Sequence, residues 1–213
     1  RRLFIAGNWK MNKGPAQADA LATALKAALV DQVSVDVAVA PPSISIPGVA
    51  ARLKHTGIHV AAQNLHAAVS GASTGELAGE MLREAGCAYV IIGHSERRHI
   101  FGETDETINK KVHAAFRAGL LPILCVGETL DQRQTGQAEA VVTGQLAAGL
   151  AGLNADQLGA VTIAYEPVWA IGTGETATPQ QAGDVHTYLR GVLAGAYDDD
   201  AAAAMRILYG GCL

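Results

Sequence analysis

Basic residues are scarce: 16 Lys and Arg stand against 20 Asp and Glu, a formal net charge of −4. That balance lacks the positive footprint on which nucleic-acid binding depends. Cysteine is also sparse. Cys87, Cys125 and Cys212 are three in number and widely spaced, so neither a disulfide framework nor a metal-ligand spacing is present, and a reducing compartment is the simpler setting. No apolar run reaches membrane-spanning length, and the first residues carry no signal-peptide pattern. No Gly-x-Gly-x-x-Gly follows the first apolar run, which leaves a dinucleotide fold little support. No initiator Met is present, which leaves room for a few residues ahead of Arg1. No linker or shift of composition divides the chain, so residues 1–213 read as one domain.

What is present is a chain of 213 residues, 49% hydrophobic and 17% charged, enough for one substantial core. Short apolar runs alternate with Ala-rich amphipathic stretches. The runs are Leu3–Ala6, Val35–Ala40, Ile58–Ala62, Tyr89–Ile92, Leu120–Val126, Val161–Tyr165 and Ile207–Tyr209. Between them lie helical patterns. In Asp105–Ala118, Ile108, Val112, Ala115 and Phe116 share one face. Thr178-Pro179-Gln180-Gln181 predicts a helix start, with an N-cap, a Pro in the first turn and a capping-box Gln, and Val185, Leu189 and Val192 continue at helical spacing. Continuous apolar strands with helices between them imply an α/β fold whose parallel sheet is covered on both faces.

A doubly wound sheet and a barrel both fit that alternation. The residues after each strand separate them. Asn8 and Lys10 follow the first run, Gln63-Asn64 the third, and His94-Ser95-Glu96 the fourth. Glu128 follows the fifth, Glu166 the sixth and Gly210-Gly211 the seventh. Polar residues at nearly every strand end fit the functional face of a barrel, whereas a doubly wound sheet gathers them at one switch point.

Glu166 is the most informative residue. It ends a buried run and is followed by Pro167 and a bulky apolar stretch closed by Gly172-Thr173-Gly174. A stiff start and a flexible end suit a lid that closes over a carboxylate and excludes water. A structural Glu in an ordinary strand-to-helix loop is the competing reading. Ser95 is expected to cap a short helix, placing His94 near its positive end, where the field favours a neutral ring that donates to a carbonyl. Lys10 is a cation suited to an anionic substrate or a developing enolate, though a solvated surface Lys is its alternative. Glu166 as base, with His94 and Lys10 polarising an oxygen, makes up the parts for moving a proton beside a carbonyl. Gly172 and Gly210-Gly211 would offer backbone N–H groups to a phosphate.

These residues resemble the triosephosphate isomerase family along essentially the whole chain. The matching segments are Gly7-Asn8-Trp9-Lys10-Met11-Asn12, Ala62-Gln63-Asn64, Gly71-Ala72-Ser73-Thr74-Gly75-Glu76, Ile92-Gly93-His94-Ser95-Glu96-Arg97-Arg98, Cys125-Val126-Gly127-Glu128, the Glu166 segment and Tyr209-Gly210-Gly211. The resemblance implies a (β/α)8-type TIM barrel. It implies interconversion of dihydroxyacetone phosphate and glyceraldehyde 3-phosphate through an enediol(ate), in glycolysis and gluconeogenesis, with no metal and no organic cofactor. It carries the base onto Glu166, the electrophile onto His94, and substrate binding onto Asn8 and Lys10. Glu96 and Cys125 become supporting active-site residues. Pro167, Val168, Trp169, Ala170, Ile171, Gly172 and Thr173 become the lid, and Gly172, Gly210, Gly211 and Cys212 the phosphate side. Thr74, Glu76 and Arg97 are placed at the interface of a cytoplasmic homodimer, with no nucleic-acid or membrane partner.

Three departures accompany it. The pattern of an eighth unit, expected in a barrel of about 250 residues, is not found, so a barrel lacking its last unit, with about seven parallel strands, and an activity impaired by a missing C-terminal phosphate loop are expected. Cys212-Leu213 stands where the family usually has Ser-Val, and Ser73 where it has Phe. They leave a second reading, a non-catalytic relative that keeps the fold and binds phosphorylated metabolites or assembles with a partner.

Overall fold

The computed structural model describes residues 1–31, 34–170 and 177–211. Seven strands alternate with helices among them: β1 (Leu3–Asn8), β2 (Val35–Ala40), β3 (Ile58–Ala62), β4 (Tyr89–Ile92), β5 (Leu121–Val126), β6 (Thr162–Tyr165) and β7 (Arg206–Tyr209). Every apolar run of the sequence became a strand, with ends displaced by no more than a turn residue or two. The chain divides into two compact units, one formed by residues 2–92 and 113–122, the other by residue 1, 93–112 and the described part of 123–213.

In the first unit β1 to β4 are parallel, each paired with the next. Leu3 lies opposite Val35 and Asn8 opposite Ala40, Val37 opposite Ile58, and Ala61 opposite Tyr89. Parallel neighbours need a crossover. Helices Pro15–Ala28, Ile46–Leu53 and Gly79–Glu84 lie in the three connections. Val60, Val90 and Ile92 are buried. The expectation of strands covered on both faces fails at β1. Phe4 is buried and stacks on Tyr89 with ring centroids 4.9 Å apart, but Leu3 and Ile5 are exposed. The helix that follows β1 packs on helix Ile46–Leu53 instead.

In the second unit β5, β6 and β7 are parallel, with Val126 opposite Tyr165 and Tyr165 opposite Tyr209. Leu124 and Ile163 are buried, as are Leu146 and Leu150 of helix Ala138–Leu150 and Leu189 and Leu193 of helix Pro179–Ala196. The second of these helices starts as its sequence predicts. Thr178 Oγ1 accepts from the Gln181 N–H at 3.2 Å, and Gln181 Oε1 accepts from the Thr178 N–H at 2.9 Å. Its inward stripe runs through Leu189 and Leu193 rather than Val192, which is only partly buried. Among the described residues no helix is long and apolar enough to cross a membrane.

Candidate active site

Glu166 is the first residue past β6. Its N–H donates to Val126 O at 2.8 Å, so the backbone still pairs with β5 where the side chain has left the strand. The residue is buried. Its Oε2 accepts from the Ser95 N–H at 3.2 Å, and its Oε1 lies 3.3 Å from His94 Nε2.

His94 follows β4 and Gly93. The expected Ser95 cap is not what forms. His94 itself is the N-cap of helix Ser95–His99, its Nδ1 accepting from the Glu96 N–H at 3.2 Å. Ser95 already lies in the first turn, while the ring nitrogen of His94 reaches back over it. A ring nitrogen that accepts carries no proton, so the proton of a neutral His94 sits on Nε2, facing Glu166. Glu96 is partly exposed, with one carboxylate oxygen 3.6 Å from His94 Nδ1.

Two β5-end residues shape the ground beside Glu166. Cys125 is buried and free. Burial, and then the Glu166 carboxylate, push its thiol well above the usual range. Gly127 lies so close that an added Cβ would stand 1.8 Å from Glu166 O. On the other side, a Cβ at Gly210 would come within 2.9 Å of Glu166 Cγ. The expectation that Gly210 offers a free N–H is not met, because that N–H donates to Tyr165 O at 2.7 Å and prolongs the β6–β7 pairing. Gly211 is exposed.

The described part of the expected lid is its root. Val168–Ala170 form a single tight turn in which the Ala170 N–H donates to Pro167 O at 2.8 Å. The Val168 N–H donates to Glu128 O at 3.1 Å. Glu128 is wholly buried, and its Oε1 accepts from Trp169 Nε1 at 3.0 Å, Tyr165 Oη at 3.0 Å and Arg133 Nη1 at 3.1 Å. The Arg133 guanidinium also lies 5.1 Å over the Trp169 ring. Burial, and then the Glu128 charge, push the Tyr165 phenol far up, so it remains a donor. Ile171, Gly172, Thr173 and Cys212, expected in the lid and phosphate side, lie outside the described residues.

Asn8 and Lys10 belong to the other unit. Lys10 has a left-handed backbone, φ 52°, unusual for a residue with a side chain. Its N–H donates to Asn8 Oδ1 at 2.9 Å, and Gln63 Nε2 donates to both Lys10 O and Ala40 O at 2.8 Å. Such strain persists only where neighbours over-determine it, and it clusters at working sites. Thr74 and Glu76 are exposed in the loop after β3. Arg97, in the unit that holds His94, pairs with Glu103 and lies 4.8 Å over the Phe101 ring.

Glu128 and Gln63 were visible in the sequence as polar strand-end residues, but nothing there assigned them the lid root and the Lys10 backbone. Gln145 had no signal. It sits within a helix, yet its side chain brackets the Gly127 peptide, accepting from the Gly127 N–H at 2.8 Å and donating to Gly127 O at 3.2 Å.

A family model described as triosephosphate isomerase matches residues 3–213. Curated proteins named triosephosphate isomerase are similar over nearly the whole chain. The one from Herpetosiphon aurantiacus is 54% identical over 211 residues, covering 99% of this chain and 84% of its own length. Those from Acetivibrio thermocellus and Prosthecochloris aestuarii are 52% and 51% identical, each over 99% of this chain and over 84% and 83% of their own lengths. The seven parallel strands, the alternating helices and a match of this extent agree: the chain has the TIM-barrel class of fold and belongs to the triosephosphate isomerase family.

Proposed function

We infer that the chain is an isomerase that interconverts dihydroxyacetone phosphate and glyceraldehyde 3-phosphate. The observation that carries the reading is the His94 Nε2 to Glu166 Oε1 approach of 3.3 Å, with Nδ1 committed to the Glu96 N–H. A carboxylate and a ring N–H donor thus stand together at two strand ends. Glu166 takes a proton from C1 of the ketose. The C–H pair forms the C1=C2 bond, and the carbonyl pair moves onto the C2 oxygen, to which His94 Nε2–H donates. The C2 oxygen takes the Nε2 proton, Nε2 takes up the C1 hydroxyl proton, and return of the Glu166 proton to C2 gives the aldehyde. Cys125 and Glu96 flank this pair. Asn8 and Lys10 are assigned to the substrate on the resemblance, as are Gly172, Gly211 and Cys212 to its phosphate. The Gly210 peptide positions Glu166 in this reading.

The same reading makes the chain a single domain and a cytoplasmic homodimer. Two buried free thiols, the exposed loop at Thr74 and Glu76, and exposed Met11, Val69 and Met81 in the same unit support it. The non-catalytic alternative is not favoured, since relatives about half identical are named as the isomerase.

A coupled isomerase assay tests the function. Turnover is expected from the native chain. Glu166→Asp, whose carboxylate is drawn back by about one methylene, should lower kcat by ~100-fold with KM little changed. No turnover in the native chain would return the non-catalytic reading. Unchanged kcat in Glu166→Asp or Glu166→Ala would remove Glu166 from the mechanism.

A further inference from the structure

Arg98 is nearly buried, with 8% of its side chain exposed, yet it stands outside the chemistry described above. Its guanidinium spreads over three elements. Nε donates to Gly93 O at 2.8 Å, Nη2 donates to Cys125 O at 3.1 Å, and Nη1 meets Asp105 Oδ1 at 2.5 Å. The first contact holds the peptide that leads into His94. The second holds β5 at the residue whose thiol touches Glu166, one residue before Val126, whose carbonyl accepts from the Glu166 N–H. The third anchors the fork to the start of helix Asp105–Arg117.

Gly93 makes the arrangement sensitive. It adopts φ 72°, and a Cβ there would meet Arg98 Nη2 at 3.1 Å, Ile108 Cδ1 at 3.2 Å and Cys125 O at 3.3 Å. The carbonyl held by Nε therefore belongs to the peptide that joins this closely surrounded glycine to His94. The Arg97 and Arg98 N–H groups both donate to His94 O, at 2.8 and 3.1 Å, so the short helix and the guanidinium fix His94 from two directions.

We propose that Arg98 is a positioning residue that sets the separation of His94 and Glu166 by bracing the Gly93 and Cys125 carbonyls with one rigid fork. The proposal rests on the isomerase reading above. A planar guanidinium with donors at fixed angles can satisfy both carbonyls and Asp105 together. An ammonium on a flexible stem offers no such fixed set of directions.

The test compares the native chain with Arg98→Lys and Arg98→Ala in the coupled assay, with turnover expressed per folded molecule from near-UV circular dichroism. An inactive native chain would fail the isomerase reading, not this one. With an active native chain, both variants should lose kcat by tenfold or more, toward the ~100-fold that a misplacement of about 1 Å produces, while KM stays near the native value. Guanidinium ion at non-denaturing concentration should restore part of kcat to Arg98→Ala by filling the vacated space, and none to Arg98→Lys. Loss of activity only in proportion to loss of folded protein would overturn the proposal. So would native kcat in either folded variant, a failure of guanidinium to rescue Arg98→Ala, or a loss carried by KM alone.

Discussion

Replacing Gly127 with Ala puts a methyl group almost where the Glu166 carbonyl already is. The new Cβ would lie 1.8 Å from Glu166 O and 2.7 Å from its carbonyl carbon. Real Cβ contacts essentially never fall below 3.0 Å, so one of the two peptides must retreat by the missing 1.2 Å (3.0 less 1.8). Gly127 is poorly placed to yield, because Gln145 grips both its N–H and its carbonyl. The neighbouring residues, Val126 and Glu128, accept from the Glu166 and Val168 N–H groups. The shift therefore passes to Glu166, and through it to the carboxylate facing His94. A displacement of about 1 Å lowers turnover on the order of 100-fold, equivalent to about 2.7 kcal/mol of barrier at ~1.36 kcal/mol per tenfold. Overpacking should also remove about 1–3 kcal/mol of stability. The assay is kcat and KM on protein shown to be folded, beside Gly144→Ala as control. Gly144 lies in helix Ala138–Leu150 with nothing within 4 Å of an added Cβ. It should keep its kcat and gain about 0.5–1 kcal/mol in chemical denaturation, the usual helix preference for Ala over Gly. A folded Gly127→Ala protein with native kcat would refute the reasoning that this close approach fixes Glu166.

Two further outcomes concern stability. Glu103 accepts from Lys111 Nζ at 2.5 Å and pairs with Arg97 as well. Burial pushes its carboxyl up, but the two cations outweigh that and hold it below the ordinary value. Glu103→Gln removes the charge that Lys111 and Arg97 share and should lower the midpoint in urea denaturation. Glu106→Gln, at an exposed pair with Lys110, should cost next to nothing. His186 supplies a pH dependence. Burial lowers its pKa from the ordinary 6.5, and its Nε2 has no partner among the described residues. The unfolded chain takes up the proton first as pH falls, so the stability held above pH 6.5 declines below it. Thermal unfolding followed from pH 8 to pH 5 should show that decline (about one proton's worth of slope at most), and His186→Gln should flatten it.

The strands could be read from the sequence because strands buried between layers appear as unbroken apolar runs, and each run became one. Glu166 and His94 stood out because they lie where such runs stop, and the structure sets their side chains 3.3 Å apart. Other features depended on reach and direction, which composition does not carry. Both His94 and Ser95 can accept from a helix N-terminus, and only side-chain geometry decided for His94. Lys has no intrinsic preference for a left-handed backbone, so the strain at Lys10 came from Asn8 and Gln63 acting at a distance. Glu128 draws donors from three separate segments, and Gln145 reaches Gly127 across 18 residues of sequence. Leu3 and Ile5 carried the same apolar signal as buried strand residues, although they are exposed.

The buried thiols have a consequence for handling and for measurement. Cys87 is pushed up to about 12 by burial, which leaves about one thiolate in 10⁵ molecules at neutral pH. Cys125 is driven the same way by burial and by its carboxylate neighbour. Alkylation and peroxide oxidation both act on the thiolate. Neither cysteine should therefore react while the native packing lasts. Reagent reaches Cys87 only when the approach to β4 loosens, and Cys125 only when β5 is uncovered. The rates at which the two are labelled would then count separate openings of the two units, one thiol reporting on each.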